Sequence, residues 1–373
     1  MMLSRRAFGL SAAAAVLSGC NAAAQVRPVP RGADPGLVPQ RTENWLAWVE
    51  GYKGRARARG IDAGVIDRAF AGAGYLSGVV ERDRNQTEFR RSFEDYLQLV
   101  ASEARVRLGR EAFARQRSRL EAIEARYGVP ASVVAAIWGV ESRYGERRGD
   151  IGVISSTSTL AYDGRRGRFF EQQLDAALRI LQSGDTTPDR LVGSWAGAMG
   201  HTQFIPTSYE AFAVDFTGDG RRDIWGEDPS DALASTAAYL QRNGWRRGAL
   251  AAREEAGGNL TPDRGGPSFR TGPNFGVIKR YNNSDSYALA VSYLAGRIAG
   301  GGPLQASFGP DASGLTFDDR VALQEGLARR GYDVGTPDGV IGRGTRRAIA
   351  AFQRAEGLAE TGEPSRALLD RLR

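Results

Sequence analysis

The chain of 373 residues contains one cysteine, one histidine and two lysines, and each scarcity narrows what it can be. With Cys20 alone, no intramolecular disulfide can form. His201 has no Ser- or Cys-based partner evident in the sequence, so a histidine-assisted nucleophile lacks support; it is expected to be a cleft-side or backbone-satisfying residue. Lys53 and Lys279 are the only lysines, so arginine carries the positive charge. Fifty basic residues against 43 acidic ones leave +7, which points to an anionic partner. Those charges are scattered, with no long basic tract and no recognisable nucleic-acid module, so nucleic acid is not expected as that partner. The apolar and charged contents, 42% and 25%, are those of a soluble globular protein, and the length leaves room for more than one core.

The position of the one cysteine carries information. Arg5 and Arg6 precede a small apolar stretch, residues 7–17, too short to span a bilayer and shaped like an export signal. Leu17-Ser18-Gly19-Cys20 resembles a bacterial lipoprotein box, which implies cleavage before Cys20 and lipidation of its thiol. Asn21 is not the Asp associated with inner-membrane retention, so a periplasmic protein anchored to the outer membrane is expected. Ser4-Arg5-Arg6-Ala7-Phe8 also looks like a twin-arginine signal, which leaves the export route open. Residues 22–40, rich in Ala, Pro and Gly, are expected to form a flexible tether.

Residues 133–140 carry no charge and run into a single carboxylate, Glu141. Pro130 suits the start of a helix and Gly145 its left-handed end. A helix apolar on every side is buried, so Glu141 is expected in the last turn of a buried helix. Desolvation and the negative helix end would both raise its pKa, and an acid protonated near neutrality is what glycosidic cleavage requires. The plainer alternative is a solvated residue or half of an ion pair with Arg143.

Three other segments carry groups suited to a sugar. Residues 194–209 interleave small residues with amide, hydroxyl and aromatic groups. Arg165 and Arg166 could meet a lactyl or peptide carboxylate. Residues 280–287 add Tyr281, Asn282 and Tyr287 ahead of an apolar helix. Trp45, Trp48 and Tyr52 sit at helical spacing and are expected in the core.

The motifs Trp138-Gly139-Val140-Glu141-Ser142-Arg143-Tyr144-Gly145, Ala196-Gly197-Ala198-Met199-Gly200 with Gln203-Phe204-Ile205-Pro206, and Arg280-Tyr281-Asn282 resemble the membrane-bound lytic murein transglycosylase B family, in order, over residues 41–305. The resemblance implies a mainly α (α+β) fold with a lysozyme-like catalytic core, flanking helices and small β elements. It implies Glu141 as the single catalytic acid, with Ser194, Gln203, Tyr239, Tyr281, Asn282 and Tyr287 lining the cleft. Glu141 would protonate the bond between N-acetylmuramic acid and N-acetylglucosamine of peptidoglycan, then as carboxylate deprotonate the muramyl C6 hydroxyl. The product is a 1,6-anhydro end, and no cofactor is required. A hydrolytic muramidase and a non-catalytic wall-binding lipoprotein are the alternatives. Asp150 and Asp163 have no context marking a second acid.

Asp215, Thr217 and Asp219, followed by Gly220 and Arg221, match the start of a calcium loop. Position twelve is Gly226 instead of Glu, so Asp228 or Asp231 would have to complete the set; an Asp/Gly turn needing no ion is the alternative. Residues 249–273 are expected to form a few strands or an irregular insertion, and residues 306–315 a linker. Residues 316–373 resemble the small three-helix peptidoglycan-binding domain, with Asp338-Gly339-Val340-Ile341-Gly342 as its glycine turn and Phe352-Gln353 closing its second helix. The expected order is thus signal 1–19, tether 20–40, catalytic domain 41–305, linker, and wall-binding domain. No protein partner is legible.

Overall fold

The computed structural model describes residues 34–85 and 92–373. The export signal, Cys20 and most of the tether lie outside the described residues. Among those described there are sixteen α-helices and two sheets of two strands each, a mainly α fold.

Six helices come first: α1 (Glu43–Ala58), α2 (Ala63–Ala71), α3 (Ser77–Arg84), α4 (Phe93–Ala101), α5 (Glu103–Arg115) and α6 (Arg117–Tyr127). Trp45 and Tyr52 of α1 are buried and meet Phe70 of α2, as their spacing predicts. Gly128, at φ 71°, ends α6 and lets the chain turn into α7 (Ala131–Ser142). Residues Ala131 and Val133 to Gly139 of α7 are all buried, because α4, α5, α6, α11 and α13 surround it.

After α7 come β1 (Ile151–Gly152), α8 (Val153–Asp163), α9 (Gly167–Ser183) and β2 (Val192–Gly193), with β1 and β2 antiparallel. Helix α9 buries Phe170, Leu174, Ala177, Leu178 and Leu181, spaced three and four apart, against α8 and α10 (Pro206–Phe212). Next are α11 (Ser230–Arg242), the antiparallel pair β3 (Ala252–Glu254) and β4 (Phe269–Thr271), α12 (Pro273–Tyr281) and α13 (Asp285–Ile298). The stretch 249–273 is therefore a short hairpin with a long connection.

A separate core, built from Leu315, Leu323, Leu327, Ile349, Phe352 and Leu369, organises α14 (Phe317–Arg329), α15 (Arg343–Ala355) and α16 (Arg366–Leu372). Thr316 and Asp319 close a reciprocal capping box at the start of α14. Two buried glutamines hold the turns of this module. Gln324 Oε1 accepts Asp338 and Gly339 N–H, and Gln353 Oε1 accepts Thr361 and Gly362 N–H.

Three expectations need correction. Helix α7 stops at Ser142, and Arg143 already takes the left-handed conformation (φ 54°), followed by Tyr144 (φ 59°) and Gly145 (φ 89°). The end of the tether is ordered, since Gln40 and Tyr75 exchange backbone hydrogen bonds of 2.9 and 2.7 Å. The linker is not free either: Phe308 packs on the main core, and Gln305 and Ala306 N–H both reach the Glu254 carboxylate.

Candidate active site

Glu141 sits on the last turn of α7, half-buried, with its carboxyl toward α13. Tyr287 Oη donates to Glu141 Oε1 at 2.7 Å. Burial raises the Glu141 pKa to about 7, and the Tyr287 hydrogen bond opposes that rise only in part. Among the described residues these are the two causes acting on it. The helix-end effect expected from the sequence is blunted, because Arg143 N–H and Tyr144 N–H already bond to the Gly139 and Trp138 carbonyls. Arg143 does not pair with Glu141; its Nε lies 2.9 Å from Glu146.

A ladder of rings extends from this acid. Tyr287 stacks with Tyr281 at 6.5 Å, and Tyr281 meets Tyr239 edge-on at 4.9 Å. Phe204 fills the angle between the last two, 5.8 and 5.9 Å from them. Each hydroxyl has a fixed acceptor: Tyr281 Oη donates to Thr202 O at 2.7 Å and Tyr239 Oη to Arg280 O at 2.6 Å. Burial and the nearby Glu141 push the Tyr281 and Tyr287 hydroxyls well above their ordinary pKa, so both remain donors.

The glycine-rich loop folds on itself beside this ladder. Ser194 Oγ accepts Ala198 N–H, and Met199 and Phe204 exchange backbone hydrogen bonds. Gly200 is left-handed (φ 68°), and a Cβ there would lie 2.2 Å from Ile224 O, so only glycine fits. Gln203 is left-handed too (φ 55°), and its Nε2 donates to Gly200 O and Arg148 O. The lone histidine is buried within this loop. Trp138 Nε1 donates to His201 Nδ1 at 3.1 Å, and the Nε2 side lies 2.8 Å from Gly226 O. That pattern assigns a neutral ring with its proton on Nε2. Burial holds its pKa below the usual value, so it serves the backbone.

The structure thus brings Glu141, Tyr287, Tyr281, Tyr239 and the Gln203 loop together. Asn282 lies at the exposed end of α12, one residue beyond Tyr281. Arg165 and Arg166 do not stand free. Both donate to the Asp83 carboxylate on α3, whose side chain is 1% exposed. Burial alone would raise Asp83, but the two guanidiniums outweigh it and hold its pKa below the ordinary value. Sequence reasoning missed Asp83 because 82 residues separate it from Arg165. It missed Tyr144 as well. That ring meets Trp138 edge-on at 5.6 Å and lies against Gly109 and Gly139, where added Cβ atoms would come within 2.3 and 2.4 Å of it.

The acidic loop is a second cluster. Carboxylate oxygens of Asp215, Asp219 and Asp231 lie within 4.8 Å of one another. Asp231, not Asp228, closes the set; Asp228 turns to Arg119 and Ser230. Asp215 accepts Gly218 and Gly220 N–H, and Asp231 accepts Phe216, Thr217 and Asp223 N–H. Burial raises the Asp231 pKa, and backbone donors hold Asp215 below its usual value. Thr217 Oγ1 is spent on Asp215, and Arg221 contributes its N–H to Asp219 while its guanidinium lies 3.8 Å from the same carboxylate. Three clustered carboxylates are oxygen donors suited to a hard divalent cation.

A half-buried acid of raised pKa on a helical core is the geometry a glycosidic-bond-cleaving protein would need, and comparison places the chain in a transglycosylase family. Residues 44–257 and 249–296 match the transglycosylase SLT domain, and residues 317–372 match a peptidoglycan binding domain. The chain belongs to the transglycosylase SLT domain family. It is 35% identical over 211 residues to membrane-bound lytic murein transglycosylase B of Escherichia coli (strain K12), an alignment spanning 46% of this chain and 58% of that protein. The crystal structure of SltB3 from Pseudomonas aeruginosa in complex with NAG-anhNAM-pentapeptide is 42% identical, with a TM-score of 0.69, and covers 89% of this chain and 100% of that one. The Escherichia coli lytic transglycosylase Slt35 in complex with calcium is 26% identical, with a TM-score of 0.58, over 71% of this chain and 97% of that one.

Proposed function

We propose that this chain cleaves the β-1,4 bond between N-acetylmuramic acid and N-acetylglucosamine in peptidoglycan and leaves 1,6-anhydro ends. The observation that carries the reading is Glu141, an acid raised to about 7 by burial, with the Tyr287 hydroxyl as its partner. At neutral pH about half the molecules hold the proton a leaving oxygen needs. Once ionised, the same carboxylate takes the C6 hydroxyl proton as that oxygen closes on C1. The 2-acetamido carbonyl of the sugar supports the ring cation in place of a second carboxylate. Tyr281, Tyr239 and the Gln203 loop line the sugar path, with Ser194 and Asn282 at its margins. Arg165 and Arg166, two positive charges shared by one aspartate, would have one charge left over for a substrate carboxylate. A relative bound to NAG-anhNAM-pentapeptide supports the anhydro product.

Asp215, Asp219 and Asp231, with Thr217 and Arg221 in the same loop, would hold a Ca2+ with a structural role, which a relative's calcium complex supports. The C-terminal module binds the wall, and the Leu17 to Cys20 box supports a periplasmic site with a lipid anchor in the outer membrane. The test is digestion of purified murein with mass analysis of the products. Anhydro ends support the reading, whereas reducing ends alone would make the chain a hydrolytic muramidase. Full lysis by Glu141→Gln would remove Glu141 from the chemistry, and no lysis by the wild type would leave a wall-binding protein.

A further inference from the structure

Two contacts hold the connecting segment against the catalytic region, and a third holds the C-terminal module itself. The Glu254 carboxylate of β3 accepts Gln305 and Ala306 N–H at 2.8 and 2.7 Å. Phe308 packs 6.2 Å from Phe93, which meets Phe269 edge-on at 5.5 Å. The third contact is Arg320 of α14, 3% exposed. Its Nη2 donates to Glu94 and Asp95 on α4 at 2.8 Å each, its Nη1 lies 3.2 Å from Asp311, and its Nε donates to Gly339 O at 2.8 Å. One guanidinium therefore joins the catalytic region, the linker and a turn of its own module.

The acceptor side is braced as well. Asp263 accepts Phe93 and Glu94 N–H at 2.9 Å each, which fixes the start of α4. Helix α4 packs on α13, the helix that carries Tyr287. Pulling the modules apart would break the Arg320 ion pairs and the Phe93–Phe308 packing together; the freed charges would regain water, so the pairs fix the geometry of docking and the apolar contact supplies its driving force. A flexible linker would do no more than concentrate the catalytic cleft near bound polymer. A docked one also fixes distance and direction.

We propose that Arg320 clamps the C-terminal module and the catalytic region into one rigid body, so that a glycan strand held by the module meets Glu141 at a fixed offset. The functional half of this rests on the wall-lytic reading above. Arg320 acts through the module and is a positioning residue.

The test uses full-length Arg320→Ala and, because that change also removes a bond within the module, the double variant Glu94→Gln/Asp95→Asn, which leaves α14 untouched. Small-angle scattering and chymotrypsin cleavage at Phe308 read docking. Murein and a GlcNAc–MurNAc tetrasaccharide read activity. In both variants the particle should expand and Phe308 should become cleavable. Their kcat/KM on murein should fall about tenfold, the scale expected when two linked sites lose their geometry, with tetrasaccharide turnover unchanged. Variants that stay compact and uncut would overturn the clamp. Variants that expand yet digest murein at the wild-type rate, or lose both substrates alike, would overturn the fixed offset. A wild-type protein inactive on both substrates would defeat the wall-lytic reading, while scattering would still decide whether Arg320 joins the modules.

Discussion

The Tyr287 hydroxyl donates to one oxygen of Glu141 at 2.7 Å and leaves the other oxygen without a protein donor among the described contacts. In the protonated acid the accepting oxygen is the carbonyl one, so the proton rides on the oxygen that faces away from Tyr287. Tyr287 therefore orients the acid and, by favouring the carboxylate, keeps its pKa from rising further.

Replacing Tyr287 with Phe should separate those two effects. The ring is fully packed (1% exposed) and stays in place, so the stability change should be within about 1 kcal/mol. Losing the hydrogen bond removes the influence that lowers the Glu141 pKa, so the basic limb of the pH–rate profile should move upward. The maximal rate should fall about tenfold through lost orientation. An unmoved basic limb in a variant with intact melting would show that Tyr287 does not act on the acid.

Glu141→Gln should abolish lysis, by a factor of about 10³. Its stability consequence depends on pH. The folded-state pKa, about 7, lies above the ordinary 4.5, so folding favours the protonated form. The stability this gives is fully present below 4.5 and is lost as pH rises through 7, up to about 3 kcal/mol in all. A glutamine carries no such dependence. The variant should melt higher than wild type at pH 8.5 and approach it near pH 4.5, as calorimetry at the two pH values would show.

The acid and its helix were legible because an uncharged run ending in one carboxylate leaves few other placements. The helix terminus was not. Gly145 looked like the stop, but the left-handed turn starts at Arg143, where a side chain resists that conformation. It holds because Ser142 Oγ accepts Gly145 N–H locally, and because two contacts from far along the chain fix it: Ser142 Oγ donates to His201 O, and the Tyr144 ring is trapped by Gly109. Helix α8 shows the same limit. Its residues 155–159 are hydroxyl-rich yet buried, with Ser155 and Thr159 accepting Gly74 and Leu76 N–H from about eighty residues away. Arg165 and Arg166 resembled free cations only because Asp83 lies far away in the chain.

Calcium should raise the melting temperature and a chelator should lower it, since a cation at Asp215, Asp219 and Asp231 relieves the repulsion of three close carboxylates. Asp219→Asn is the informative variant. Asp219 is exposed and bonds only within its own loop, so the change should erase the calcium response with little effect on the calcium-free melt. Asp231→Asn should destabilise the protein even without calcium, because Asp231 is buried and receives three backbone donors. A calcium shift that survives Asp219→Asn would move the ion elsewhere.

Gly139→Ala offers a test in which local propensity and packing predict opposite signs. Within a helix, alanine is favoured over glycine by about 1 kcal/mol, so substitution in α7 would ordinarily stabilise. Here the new methyl would lie 2.4 Å from the Tyr144 ring, which Gly109 confines on another side and Trp138 meets edge-on. The ring has no free direction, because Tyr144 is 8% exposed and part of the left-handed turn that follows Glu141 and Ser142. Relief must come from the turn, and the turn sets the end of the helix that aims the acid. Overpacking should therefore win, with a net loss of about 1–3 kcal/mol in thermal or denaturant unfolding. Activity should fall more steeply than stability at temperatures where the variant is fully folded. Tyr144→Phe serves as the control: it removes a buried hydroxyl that has no partner among the described residues and leaves the ring in its slot, so stability should stay within about 1 kcal/mol of wild type. A Gly139→Ala protein as stable and as active as wild type would show that the turn after Glu141 is not held by this ring.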